Sequence, residues 1–258
     1  MSDIHGFNEF EFDLPSALLR DIIQLLDGMS DGILNPWNTQ QIPEVQGVYQ
    51  LFCNGQLVYI GKTDAEAGLR TRLTRHSQKI LHRPSLSGSV VTFKAAQILV
   101  FTAMDLETQL INHYRKTMGE VAWNGSGFGS NDPGRKREET DKAPDGFDAV
   151  HPINIDVPGE YVPIGTAAVA TVLGRLKSVL PYTLRYETLR GANGRALRGN
   201  PHADLTATEV AINGPQQTVR GLMRQIVTAL GPDWQATAFP SHVILYKERK
   251  AYTHGAIL

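Results

Sequence analysis

GVYQLFCNGQLVYIGKTDAEAGLRTRLTRH, residues 47–76, is the stretch around which the rest of the chain is organised. Two short runs rich in β-branched and aromatic residues, Val45–Phe52 and Leu57–Ile60, flank Asn54-Gly55, a strong local hairpin signal. Each run sets a tyrosine in a triplet with a glycine: Gly47-Val48-Tyr49 in the first, Tyr59-Ile60-Gly61 in the second. A basic helical segment follows, with Arg72 and His76 four residues apart and therefore on one face. The turn decides where the tyrosines point. A two-residue Asn54-Gly55 loop pairs Cys53 with Gln56, sets Tyr49 opposite Ile60 and sends the two tyrosines to opposite faces. A three-residue loop, Cys53-Asn54-Gly55 with Gly55 left-handed in a bulge, pairs Tyr49 with Tyr59 on one face.

Composition bounds the answer without deciding it. The 258 residues are 41% hydrophobic and 20% charged, the balance of an ordinary globular chain long enough for one large or two small domains. The net charge of −1 carries no global signal for nucleic acid, so such a partner has to be argued from local patches. One such patch lies between Lys62 and Arg83, where six basic residues (Lys62, Arg70, Arg72, Arg75, Lys79, Arg83) face two acids, Asp64 and Glu66. The single Cys53 excludes an internal disulfide and a cysteine-based metal cage. The acidic, polar opening MSDIHGFNEFEFD has no signal-peptide pattern, and no apolar run approaches the length of a membrane span. The expectation is a soluble, cytoplasmic protein with no membrane partner.

Residues 1–40 read as an N-terminal arm. FNEFEFDL is an irregular lead-in, and Leu14–Leu26 has helical periodicity at Leu18, Leu19, Ile22, Ile23 and Leu26, with Pro15-Ser16 at its start. After the hairpin, Asp64–Leu81 reads as a helix whose buried stripe is Leu69, Leu73 and Ile80. Arg72 and His76 lie on the border of that stripe, while Arg75 and Lys79 lie farther round and suit DNA phosphates. Ser89–Phe101 holds two candidate strand runs, Val90–Phe93 and Gln97–Phe101. A helix spans Leu106–Met118 with Asp105 or Thr102 as its N-cap and Glu107 in its first turn. Trp123-Asn124 and a loop dense in glycine and basic residues, Gly125–Arg137, follow. Farther on, Thr166–Val179 reads as a helix and Tyr182–Leu189 as a strand. Thr206–Ile212 reads as a strand, Val219–Leu230 as an amphipathic helix, and Trp234–Lys247 as a closing strand broken at Pro240, together a small α/β unit. Arg190, Arg195 and Arg198 sit on or beside an exposed Gly-rich turn and are candidates for contacts to DNA.

The two triplets resemble the GIY-YIG nuclease signature, with GVY for the first and YIG intact. In that family two tyrosines, an arginine, a histidine or second tyrosine, a glutamate and an asparagine form one phosphodiesterase site. The resemblance implies that Tyr49, Tyr59, Arg72, His76, Glu107 and Asn124 are the catalytic residues here. It also implies the three-residue form of the hairpin, with both tyrosines on one face. The Glu107–Asn124 separation is longer than the family pattern and implies a short insertion at the helix exit; a turn-capping asparagine is the other reading of Asn124. Trp123-Asn124 followed by Gly127-Phe128-Gly129, Asn131-Asp132-Pro133-Gly134-Arg135 and Phe147-Asp148-x-x-His151-Pro152 resembles the restriction-endonuclease branch. The resemblance covers about residues 44–152, and the ending WQATAFPSHVILY is similar to that branch less specifically.

The fold expected is α/β: a small mixed β-sheet flanked by helices over 44–152, with the N-terminal arm and a C-terminal α/β part over 153–258 for recognition and dimerisation. The implied function is Mg²⁺-dependent (or Mn²⁺-dependent) hydrolysis of double-stranded DNA at a short palindrome by a homodimer. Glu107 would hold the metal, Arg72 would brace the phosphate, and Tyr49 would orient or deprotonate the water. Lys62, Arg75, Lys79, Arg135, Arg190, Arg195 and Arg198 would contact DNA. Two alternatives stand beside it: a repair or homing nuclease of the same superfamily, and a DNA-binding module on a decayed nuclease scaffold.

Overall fold

The computed structural model describes residues 13–63, 67–99, 105–125, 128–129, 138–141, 146–192 and 194–258. The chain is mixed α/β and divides into two compact units, Met1–Leu73 with Val90–Val121 and Thr74–Ser89 with Ala122–Leu258. One boundary between the units falls inside a helix, Leu69–Leu81. Among the described residues no helix is long and apolar enough to cross a membrane.

The first unit begins with α1 (Leu14–Gly28), started by the Asp13 carboxylate, which accepts the Ser16 backbone N–H at 3.1 Å, and by Pro15 in its first turn. After β1 (Gly32–Ile33) and α2 (Pro36–Gln40) come the hairpin strands β2 (Gly47–Cys53) and β3 (Gln56–Lys62). The start of helix α3 (Leu69–Leu81), as far as Leu73, with β4 (Val91–Gln97) and α4 (Leu106–Met118), completes it. The strands form a sheet in the order β1-β4-β2-β3, antiparallel at every pairing. The mixed sheet expected around the tyrosine hairpin is therefore corrected to an antiparallel one: β2 and β3 form a hairpin, and β4 returns after α3 to lie antiparallel beside β2. Of the two strand runs expected in 89–101, the first lies in β4, which continues against β2 as far as Gln97; Ile98 and Leu99 lie beyond the strand, and residues 100 and 101 lie outside the described set.

Central strand β2 is buried on both faces. Val48 packs with Leu57, Ile60, Ala96 and the apolar stripes of α1 (Ile22, Leu26) and α4 (Leu106, Leu110, Tyr114). The N-terminal helix is thus part of the core. The other face carries Tyr49 and Leu51, and the start of α3 lies over its edge: a Cβ on Gly47 would stand 2.9 Å from the Leu69 side chain. Glu44, just upstream of β2, holds the N-terminus of α3, its carboxylate accepting the Gly68 N–H at 2.5 Å and the Thr71 N–H at 3.0 Å.

The second unit carries α5 (Gly146–Val150), β5 (Gly165–Ala168), α6 (Val169–Val179), β6 (Thr183–Tyr186), β7 (Thr188–Arg190) and β8 (Ala196–Pro201). It continues with α7 (Ala203–Ala207), β9 (Glu209–Ile212), α8 (Val219–Leu230), β10 (Gln235–Ala238), β11 (His242–Tyr246) and β12 (Ala256–Ile257). Its main sheet runs β12-β10-β11-β6, with β6 parallel to β11 and the rest antiparallel, so the mixed sheet lies here. Helices α6 and α8 bury Val172, Leu173, Leu176, Leu222, Met223 and Ile226 in one apolar cluster with Leu184, Ala236, Val243 and Leu245 of that sheet. Several expected elements change type. Thr166–Ala168, expected to start a helix, belongs to a strand paired with β9, and Thr206 and Ala207, expected to start a strand, end the short helix Ala203–Ala207. Pro240 marks a reversal that makes β10 and β11 an antiparallel hairpin, where one broken strand was expected.

Candidate active site

The hairpin turn is the two-residue Asn54-Gly55 type, with φ of 50° and 80° and Cys53 paired with Gln56, not the three-residue loop. Asn54 helps to hold it: its side-chain oxygen accepts the Val90 N–H at 2.9 Å, and its backbone N–H donates to the Val90 carbonyl at 2.8 Å. The tyrosines nevertheless share a face. The register shifts between Leu51 and Phe52: Phe52 pairs with Leu57 and Leu51 with Tyr59, so Val58 is an extra residue on β3. That bulge restores the parity that the turn removes, and it also offsets the rings along the strands. Tyr49 consequently pairs with Gly61 rather than with Tyr59.

The offset gives the glycine of the second triplet its purpose. Tyr49 lies across Gly61, where a Cβ would stand 2.5 Å from the phenolic oxygen and 2.9 Å from Tyr59 Cε1. Only a residue without a side chain leaves room for both rings, whose centroids are 6.0 Å apart and tilted by 39°.

Arg72 and Glu107 interact electrostatically with both phenols. Burial, with the neighbouring Tyr59, pushes the Tyr49 hydroxyl well above the ordinary phenol range, and Arg72 only partly offsets this. Tyr49 is therefore a neutral donor, its hydroxyl bonding that of Tyr59. Glu107 is half-buried, in the first turn of α4. Burial raises its carboxyl pKa, Lys62 and Arg72 pull it back, and the Lys62 backbone N–H donates to it. Asp105 is the N-cap of α4, as expected; hydrogen bonds from Thr108 and Lys62 hold its carboxyl below the usual range. The Lys62 ammonium lies 3.1 Å from Asp105 on the surface.

The first unit thus brings together Tyr49, Tyr59, Lys62, Arg72 and Glu107. His76 is one turn beyond Arg72 on α3, in the part of the helix that belongs to the second unit. There it is nearly buried, its ring stacked on Phe128 with centroids 4.6 Å apart and 9° between planes. Asn124 ends a short 3₁₀ turn, Ala122–Asn124, anchored by buried Trp123, which packs against Phe128, Phe147 and His151.

The basic residues expected to contact DNA divide sharply. Arg75 is exposed. Lys79 is not on the solvated face expected for it: its Nζ donates to the Phe128 carbonyl at 2.6 Å and lies 5.1 Å from the centre of the Phe128 ring. Burial lowers its pKa to about 8. Arg190, on β7, pairs with Glu187 at 3.2 Å, and Arg195 is exposed in the β7–β8 turn. Arg198 lies on β8, and Arg135 lies outside the described residues.

Sequence reasoning gave no role to Arg83 beyond a count of basic charge. It is one of the most buried side chains in the protein, donating to Asp148 at 2.9 Å and to the carbonyls of His151 at 2.6 Å and Pro240 at 3.2 Å. The Phe147-Asp148-x-x-His151 segment is thereby a docking site for the end of α3. Its buried aspartate on a short helix, beside an aromatic residue, is the one sequence trace of that role.

No family model matches this chain, and no curated protein matches it.

Proposed function

We propose that the chain is a divalent-metal-dependent DNA endonuclease of the GIY-YIG type, acting as a homodimer on a short, symmetric site in double-stranded DNA. The observation that carries this reading is the coupled group of Tyr49, Tyr59, Arg72 and Glu107, in which the two phenols pack so closely over Gly61 that no other residue fits there. Structural packing alone has no use for a carboxylate held half-buried against its own desolvation cost beside two phenols and a guanidinium.

The donor set fits a hard cation. By the family resemblance Glu107 would be the protein carboxylate on it. Mg²⁺ commonly keeps most of its water and takes one or two carboxylates. Bound there, the cation would supply positive charge to the phosphoryl oxygens as negative charge builds on them.

The chain's own residues divide the remaining work. Arg72 offers a planar fork of donors to the scissile phosphate. Tyr49, a neutral phenol with an acceptor oxygen, orients the attacking water; Tyr59 accepts the hydrogen bond from the Tyr49 hydroxyl and keeps that phenol in one rotamer. The family resemblance adds His76 to the proton path and Asn124 to phosphate positioning. Lys62 of the first unit and Arg75, Arg190 and Arg195 of the second are exposed for contacts to DNA.

The deciding experiment is a digest of a plasmid of known sequence with and without Mg²⁺. Discrete bands that require the metal support the reading, and an intact plasmid under all metal conditions would sink it. A smear or cutting confined to branched DNA would favour a repair-type nuclease.

A further inference from the structure

The second half of α3 holds a buried ammonium where a DNA-facing lysine was expected. Lys79 stands three residues beyond His76, so both side chains leave the helix on adjoining faces. Both meet Phe128. The imidazole lies flat on its ring at 4.6 Å, and the ammonium donates to its carbonyl oxygen at 2.6 Å while sitting 5.1 Å from its ring centre. Phe128 is itself almost wholly buried, with Trp123 at 4.9 Å and Phe147 at 4.7 Å between centroids.

Burying an ammonium is costly, and a leucine or methionine would fill the same space without that cost. The charge must therefore do something that volume does not. Here it joins two positions 49 residues apart, tying the backbone of Phe128 to the helix that carries His76. A carbonyl bond fixes where the Phe128 backbone sits, and the cation–π contact limits how its ring turns. With both set, the face against which His76 lies is set too.

We propose that Lys79 is a positioning residue that holds the His76 imidazole in one orientation through Phe128, and is not a contact to DNA. The catalytic consequence rests on the nuclease reading above, since it matters to turnover only if His76 serves the cleavage site. The geometric part does not, and the two can fail separately.

The test uses the full-length protein and two variants, Lys79→Met and Phe128→Leu, with two readouts. The first is the proton NMR resonance of the His76 ring, which a face-stacked phenyl shifts upfield. Lys79→Met is expected to move that resonance toward the position of an unstacked histidine. The second is steady-state cleavage of a DNA oligonucleotide, in which kcat should fall on the order of 10- to 100-fold with KM unchanged. An unmoved His76 resonance would overturn the proposal, and so would a raised KM with kcat intact, the mark of a phosphate contact. If Lys79→Met does not fold, Phe128→Leu decides: it keeps the carbonyl and removes the ring, so an unmoved resonance there overturns the stacking. If the wild-type protein cuts no DNA, the nuclease reading fails, and the NMR comparison still decides whether Lys79 orients His76.

Discussion

A Cβ built on Gly61 would stand 2.5 Å from the hydroxyl oxygen of Tyr49 and 2.6 Å from the ring carbon that carries it. Tyr49 has little freedom to retreat, being 2% exposed on the central strand of its sheet. Gly61→Ala should therefore displace the phenol and part it from Tyr59. Overpacking of this kind costs about 1–3 kcal/mol, seen as a lowered Tm. Cleavage should fall by more than the loss of folded protein accounts for. A variant with wild-type turnover per folded molecule would show that the position of the Tyr49 hydroxyl is immaterial.

Tyr49→Phe removes one oxygen and leaves the ring. The hydroxyl donates to Tyr59, so stability should drop by about 1 kcal/mol. Turnover should fall on the order of 100-fold or more, with DNA affinity unchanged in a binding assay without metal. Unchanged turnover would demote Tyr49 to packing.

Glu107→Gln separates function from stability by sign. Burial raises the folded-state pKa of Glu107, so the stability it contributes is present below the ordinary carboxylate range and lost as pH rises through the folded value. At neutral pH the ionised carboxylate is a net cost. The variant should then melt at a higher temperature than the wild type at pH 7, and this advantage should shrink under acid. Cleavage should fall about 100-fold or more. Added Mg²⁺ should raise the Tm of the wild type and not that of the variant. A helix-terminus role alone predicts the reverse, a loss of about 0.3–1 kcal/mol with cleavage intact.

Lys79 supplies a signature at alkaline pH. Burial depresses its folded-state pKa to about 8, so between there and the ordinary lysine value the unfolded chain binds the extra proton. Stability from this group rises as pH rises through that window and is lost as pH falls through about 8. The gain is at most about 3 kcal/mol. Buried phenols, Tyr49 among them, begin to oppose it above about pH 10. The Tm difference between wild type and Lys79→Met should therefore shift in favour of the wild type from pH 7.5 to 9.5. A constant difference would mean that Lys79 titrates normally.

What the sequence alone determined is local in origin. The starts of α1, α4 and α8 follow from Asp13, Asp105 and Thr218, each of which accepts a backbone N–H from its own first turn. The hairpin and the left-handed Gly55 follow from Asn54-Gly55, and the buried stripes of these helices from their periodicity. Where an element depends on a distant partner, the same reading falls short. The Val58 bulge, which returns both tyrosines to one face, has no mark in the residues of β3; it arises where β2 is already committed along its whole length to β4. Gly165–Ala168 becomes a strand because β9, more than forty residues on, offers its edge. The basic run after the hairpin shows the limit most clearly. Arg75 and Lys79 are a helical turn apart and chemically alike, yet one is solvated and the other buried. Desolvation of a charge is tolerated only where an acceptor waits, and for Lys79 and Arg83 the acceptors, the Phe128 carbonyl and the Asp148 carboxylate, lie 49 and 65 residues away. Only the tertiary structure brings them within reach.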